Sequence, residues 1–177
     1  MKGNRLIIVL SAVAMTAAVA LPAGAAPPTT SQFTLTECVI ATGPPAVFER
    51  TGNEAQVLHI RGFPYLGFLT DEGGNLTGTN SGLVSIDENL KNGTGSIRGT
   101  LQIRDAVLGD FDGSFSAHYR DFVWQGRGAA TGVGESAGKL LKMQVTGLDR
   151  AATCGDPPFL GIDWSDAAAW SVTITEK

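Results

Sequence analysis

The chain predicts an all-β fold: a single antiparallel, up-and-down β-barrel of about eight strands, closed by a disulfide between its first and last segments. Three observations carry this. Eleven glycines lie between Gly93 and Gly147, set among short stretches that alternate apolar and polar residues. Glycine accepts positive φ in turns and bulges and marks the tight bends at barrel corners. The outer phase is polar in one stretch after another (Arg98/Gln102/Arg104, Lys142/Gln144, Ser171/Thr173/Thr175), so each strand has a dry face and a wet face. The two cysteines, Cys38 and Cys154, stand near opposite ends of the folded part, and in an exported chain two cysteines pair.

Residues 1–25 read as a signal peptide outside the fold. Lys2 and Arg5 form a short positive region, residues 6–21 are apolar and uncharged, and Ala23-Gly24-Ala25 supplies the small residues of a cleavage site before Ala26. The apolar run is shorter than the roughly 20 residues that span a bilayer, so no membrane association is expected after cleavage. The product is expected to be secreted or periplasmic. Residues 26–32 read as a flexible leader and 33–177 as a single barrel domain, a length that suits one core.

Within that domain, FTLTECVI (33–40) alternates and is a first strand, broken by Gly43-Pro44-Pro45. Residues 46–55 are ambiguous between a short helix and a loop. QVLHIRG (56–62) is a second strand, followed by PYLGFLTD (64–71), a turn at 71–75 and a further strand over 76–87. The clearest strand is GSIRGTLQIRD (95–105), with Ile97, Gly99, Leu101 and Ile103 on one face. Residues 106–113 read as a turn, and in SFSAHYR (114–120) Phe115, Ala117 and Tyr119 share a face. The apolar phase then shifts to Phe122 and Trp124, which implies a bulge or tight turn. Residues 128–135 form a small-residue strand or hairpin. KLLKMQVTG (139–147) aligns Leu141, Met143 and Val145; residues 148–167 are irregular; Trp170, Val172 and Ile174 face inward in the last strand.

Residues 56–147 resemble small secreted bacterial β proteins of the allene oxide cyclase and dirigent barrel type. The runs that carry the resemblance are GTGSIRGTLQI, FDGSFSA and GRGAATGVGESAGKLLKMQVTG, with their recurring glycine spacing. The resemblance implies a small eight-stranded cup, sometimes trimeric, whose plant relatives bind or reshape apolar substrates. It carries no catalytic residue onto this chain.

Charge excludes one class of partner. Without Lys2 and Arg5 the chain has 11 cations against 17 anions, a net charge of −6, with no basic stretch. Nucleic acid is therefore not expected. A zinc set of Cys38, Cys154, His59 and His118 has no close ligand pair. The stretch Asp110 to Ser114 echoes a calcium loop, but Phe115 stands where glycine is needed, so an Asp-Gly turn is the reading. No metal or other cofactor is expected. Gly134 to Gly138 matches a nucleophile elbow by letter, yet both histidines precede Ser136 and a strand follows it. Ser136 is read as an exposed serine in a hairpin, and His59 and His118 as surface histidines.

Aromatic residues are the more useful signal. Small inward positions (Gly99, Ala117, Ala129) leave room for aromatic side chains or for a guest in an eight-stranded lumen. Tyr65, Phe115, Tyr119 and Trp124 are the candidate ligand-binding residues, and no catalytic residue is assigned. The favoured function is a non-enzymatic barrel that binds a small apolar ligand or serves as an interaction module, as a monomer or small homo-oligomer. The alternative is a cyclase- or isomerase-like enzyme acting on an apolar substrate in the cavity. A polar group buried in an apolar cavity with a strongly perturbed pKa separates the two.

Overall fold

A computed structural model describes residues 27–120, 123–154 and 166–176; the signal-peptide reading of residues 1–25 falls outside them. Among these residues nine strands are present: β1 (Thr29–Ala41), β2 (Val47–Thr51), β3 (Val57–Thr70), β4 (Leu76–Asn89), β5 (Thr94–Asp105), β6 (Gly109–Arg120), β7 (Val123–Gly132), β8 (Lys139–Gly147) and β9 (Asp166–Glu176). All neighbouring pairs are antiparallel, in the order β1-β9-β8-β7-β6-β5-β4-β3-β2, and β1 also pairs with β3. That last pairing closes an eight-stranded barrel and leaves β2 as a short ribbon along the first half of β3. No helix among the described residues is long and apolar enough to cross a membrane.

The strands form where period-two patterning puts apolar side chains on one face. Leu101, Ile103, Phe111, Leu141, Met143, Trp170 and Val172 all point into a single core and are nearly inaccessible. Cys38 and Cys154 are bonded, their Cα atoms 5.9 Å apart, which pins the short helix α1 (Arg150–Cys154) to β1.

Several details differ from expectation. The strand β1 starts at Thr29, so residues 29–32 of the expected leader pair with the last strand, Thr29 opposite Glu176. Residues 47–51 form β2 rather than a helix or loop, because their backbone finds partners on β3. The runs 56–62 and 64–71 are one strand, β3, interrupted by a bulge between Ile60 and Phe63. Gly62, with φ +59°, absorbs the extra residue. The bulge flips the inward phase from Ile60 to Phe63 and so turns Tyr65 into the barrel.

Strand β6 begins at Gly109, inside the expected 106–113 turn. Ala129 faces solvent, and Ala130 takes the inward position. Ser136 is buried rather than exposed: a 3₁₀ turn folds it over the barrel end, where its Oγ accepts the Asp110 N–H at 3.1 Å. Phe122 and most of the irregular 148–167 stretch lie outside the described residues.

Candidate functional site

The interior is not filled along its whole length. Toward the end where the β3–β4, β5–β6 and β7–β8 turns lie, Leu69, Ile103, Phe111 and Leu141 pack with no exposed surface. Toward the end where β1 finishes and β9 begins, the barrel encloses a cavity of about 190 Å3. Its walls are mainly apolar, with Val39, Phe63, Val84, Ile86, Ile97, Leu101, Met143 and Val145 among them. Tyr65, Phe115, Tyr119 and Trp124 all line it, contributed by β3, β6 and β7.

The cavity also holds a polar cluster. Glu37 on β1 is 4% exposed and Asn80 on β4 is 1% exposed, so a carboxyl and an amide are sunk in an otherwise oily interior. Asn80 Nδ2 donates to Glu37 Oε1 at 2.9 Å and to the Tyr65 hydroxyl oxygen at 3.1 Å. Trp170 Nε1 donates to Glu37 Oε2 at 3.0 Å. The Tyr65 hydroxyl passes its own hydrogen to the Thr100 carbonyl at 2.9 Å. That carbonyl sits at an interruption of the β4–β5 ladder, which runs to Ser81 opposite Gln102 and resumes at Val84 opposite Gly99. These bonds set the amide orientation of Asn80. Turned over, its Oδ1 would face a tyrosine oxygen whose hydrogen is already committed.

Burial raises the pKa of Glu37 to about 7; hydrogen bonds from Asn80 and Trp170 oppose the rise, and the charge of Asp166 adds to it. Burial, then the Glu37 charge, likewise raises the pKa of Tyr65. Burial raises that of Tyr119 as well, helped by the charges of Asp166 and Glu88. A group that changes protonation near neutrality inside an apolar cavity can bind, donate or accept a proton there.

Comparison with protein-family models, curated proteins and solved structures gives no match. The functional reading therefore rests on the geometry of the cavity.

The expected surface histidines lie away from it. His59 sits on the outer face of β3, its Nδ1 2.6 Å from Asp87 and its Nε2 2.9 Å from Thr51. Hydrogen bonds from His59 and then Arg61 hold the Asp87 carboxyl below its usual range. His118 is exposed on β6. Asp112 pairs with Arg104 at 2.8 Å, and among the described residues no group of three acids, histidines or cysteines could hold a metal ion.

Glu37 and Asn80 were missed, although phase could have found both. In FTLTECVI, Glu37 shares its parity with Phe33, Leu35 and Val39; in LTGTNSGLVSID, Asn80 shares its parity with Val84 and Ile86. A polar residue on a dry phase marks a buried network. Gly67 makes room for this one. It pairs with Val39 on one side and Asn80 on the other, and a Cβ there would fall on the Glu37 carboxyl group. Gly67→Ala is expected to cost about 1–3 kcal/mol by overpacking. Urea denaturation checks this, and an unchanged midpoint would show that Glu37 has another place to go.

Proposed function

We propose that this protein is an exported, non-enzymatic barrel that holds one small apolar molecule in its cavity. The observation that carries the reading is the 190 Å3 apolar cavity, with its few convergent polar groups at Glu37, Asn80 and Tyr65. An apolar cavity of roughly 150 Å3 is large enough to take up benzene, so this one suits a compact molecule of one or two rings. The disulfide fits an oxidising compartment, as does the signal-like character of residues 1–25. Native mass spectrometry of the secreted protein tests the proposal. The expected result is a co-purifying apolar molecule that is lost in Ile97→Phe, a substitution that extends a cavity wall inward. A protein that is empty and takes up no apolar probe would end it.

A second reading is favoured by Glu37 itself. A carboxyl group with a pKa near 7 in a water-poor cavity is what a general acid or base requires. In that case the barrel would act as a cyclase- or isomerase-like enzyme, holding an apolar substrate in a reactive shape. The resemblance of residues 56–147 to allene oxide cyclase and dirigent barrels is compatible with either reading. Turnover of a bound molecule that disappears in Glu37→Gln while binding persists would favour the enzyme.

A further inference from the structure

The cavity's hydrogen bonds can be followed atom by atom to what they leave over. Both oxygens of Glu37 receive hydrogens, one from Asn80 Nδ2 and one from Trp170 Nε1. An indole N–H and an amide N–H only donate. When the Glu37 carboxyl carries a proton, neither partner can receive it. The Tyr65 oxygen faces Asn80 and spends its own hydrogen on Thr100. Asn80 Oδ1 is itself a buried acceptor without a partner among the described residues, but the orientation set by Tyr65 turns it away from Glu37. In that orientation the acid hydrogen meets no acceptor among its described partners, while Glu37 lines the cavity.

Resting on the ligand-binding reading above, we infer that the acid hydrogen of Glu37 recognises the ligand, and that the ligand is a compact apolar molecule with a hydrogen-bond-accepting oxygen, such as a ketone, ether or ester. A buried donor left without an acceptor costs free energy that such an oxygen removes. A hydrocarbon of the same shape leaves the cost in place. Once Glu37 is ionised, the same ligand oxygen meets a carboxylate and the attraction is lost.

Protonation thus gates the site. The groups that face Glu37 are Tyr65 from β3, Asn80 from β4, and Asp166 and Trp170 from β9, with Tyr119 lining the cavity from β6; α1 brings Cys154, bonded to Cys38, to the same strand. Among the described lining residues there is no Lys, Arg or His. With a pKa of about 7, Glu37 is almost fully protonated at about pH 5.5 and only about 3% protonated at about pH 8.5. A ligand that needs the protonated form then loses affinity roughly 30-fold across that interval.

The test is titration calorimetry of the full protein with 1-indanone and with indane, its hydrocarbon counterpart, at about pH 5.5 and about pH 8.5. The expected result is a roughly 30-fold loss for 1-indanone and less than about a threefold change for indane. Glu37→Gln, whose amide nitrogen cannot accept the hydrogen that one Glu37 oxygen receives, is expected to weaken 1-indanone binding at about pH 5.5 and to abolish its pH dependence. If both compounds bind with the same pH profile, the assignment to Glu37 is wrong while the ligand-binding reading stands. If neither binds, both fall. Should Glu37→Gln not fold, the two compounds on the unaltered protein still decide.

Discussion

Raising the pH from about 4.5 to about 8 is expected to cost the folded protein about 3 kcal/mol of stability. The cause is Glu37, whose folded pKa is about 7 against 4.5 for the unperturbed group. Between those values the folded state holds a proton that the unfolded state has released, so stability must fall as pH rises. The stability is fully present below the unfolded pKa and lost as pH passes the folded one. A shift of about 2.5 units at 1.36 kcal/mol each sets the size. Asp71 and Asp87 have lowered pKa values and act in the opposite sense, but below their ordinary value of 3.8, outside this interval. Tyr65 and Tyr119 shift upward from 10.0 and lie outside it on the other side. Urea denaturation across the interval measures the slope, and Glu37→Gln should flatten it. A flat profile in the unaltered protein would mean that the carboxyl finds solvation inside the barrel.

The second large effect belongs to the covalent closure. Replacing Cys38 and Cys154 together by serine is expected to destabilise the protein by up to about 5 kcal/mol, the loop-closure value for a loop of this length. The cysteines are 116 residues apart in a chain of 177, so the bond restricts about two-thirds of the unfolded chain. In the folded state β1 is already hydrogen-bonded to β9 along its length and to β3 along its second half. The barrel should therefore keep its strands in the variant, and the loss should appear in the denaturation midpoint rather than in the far-ultraviolet spectrum. An unchanged midpoint would show that the unfolded chain is compact without the bond.

Much of the architecture was legible because barrel strands repeat a simple physical demand. Ile97, Leu101 and Ile103 had to share a face, as did Leu141, Met143 and Val145, and a polar outer phase on both sides of each turn required curling. Phe115 and Tyr119 followed from the same parity and line the cavity, as do Tyr65 and Trp124, whose inward direction parity alone did not give. The errors came where backbone geometry outweighs pattern. The bulge at Arg61-Gly62 joins two apparent strands by absorbing one residue, and β2 has no buried face to betray it. Ala129 and Ala130 are identical in chemistry, so only register decides which points inward. The polar cluster was overlooked because Glu37 lies in a run that reads correctly as a strand without it. Its partners Asn80 and Trp170 are 43 and 133 residues away, a proximity that exists only after closure.

The ribbon β2 has a consequence for how copies of this molecule meet at high concentration. Among the described strands it pairs on one side alone, with β3, and all five of its residues are exposed, Phe48 most openly at 59%. It is thus the place where a second molecule's backbone could dock and seed fibrous stacking. Glu49 and Arg50, charged and central in the ribbon, oppose such docking.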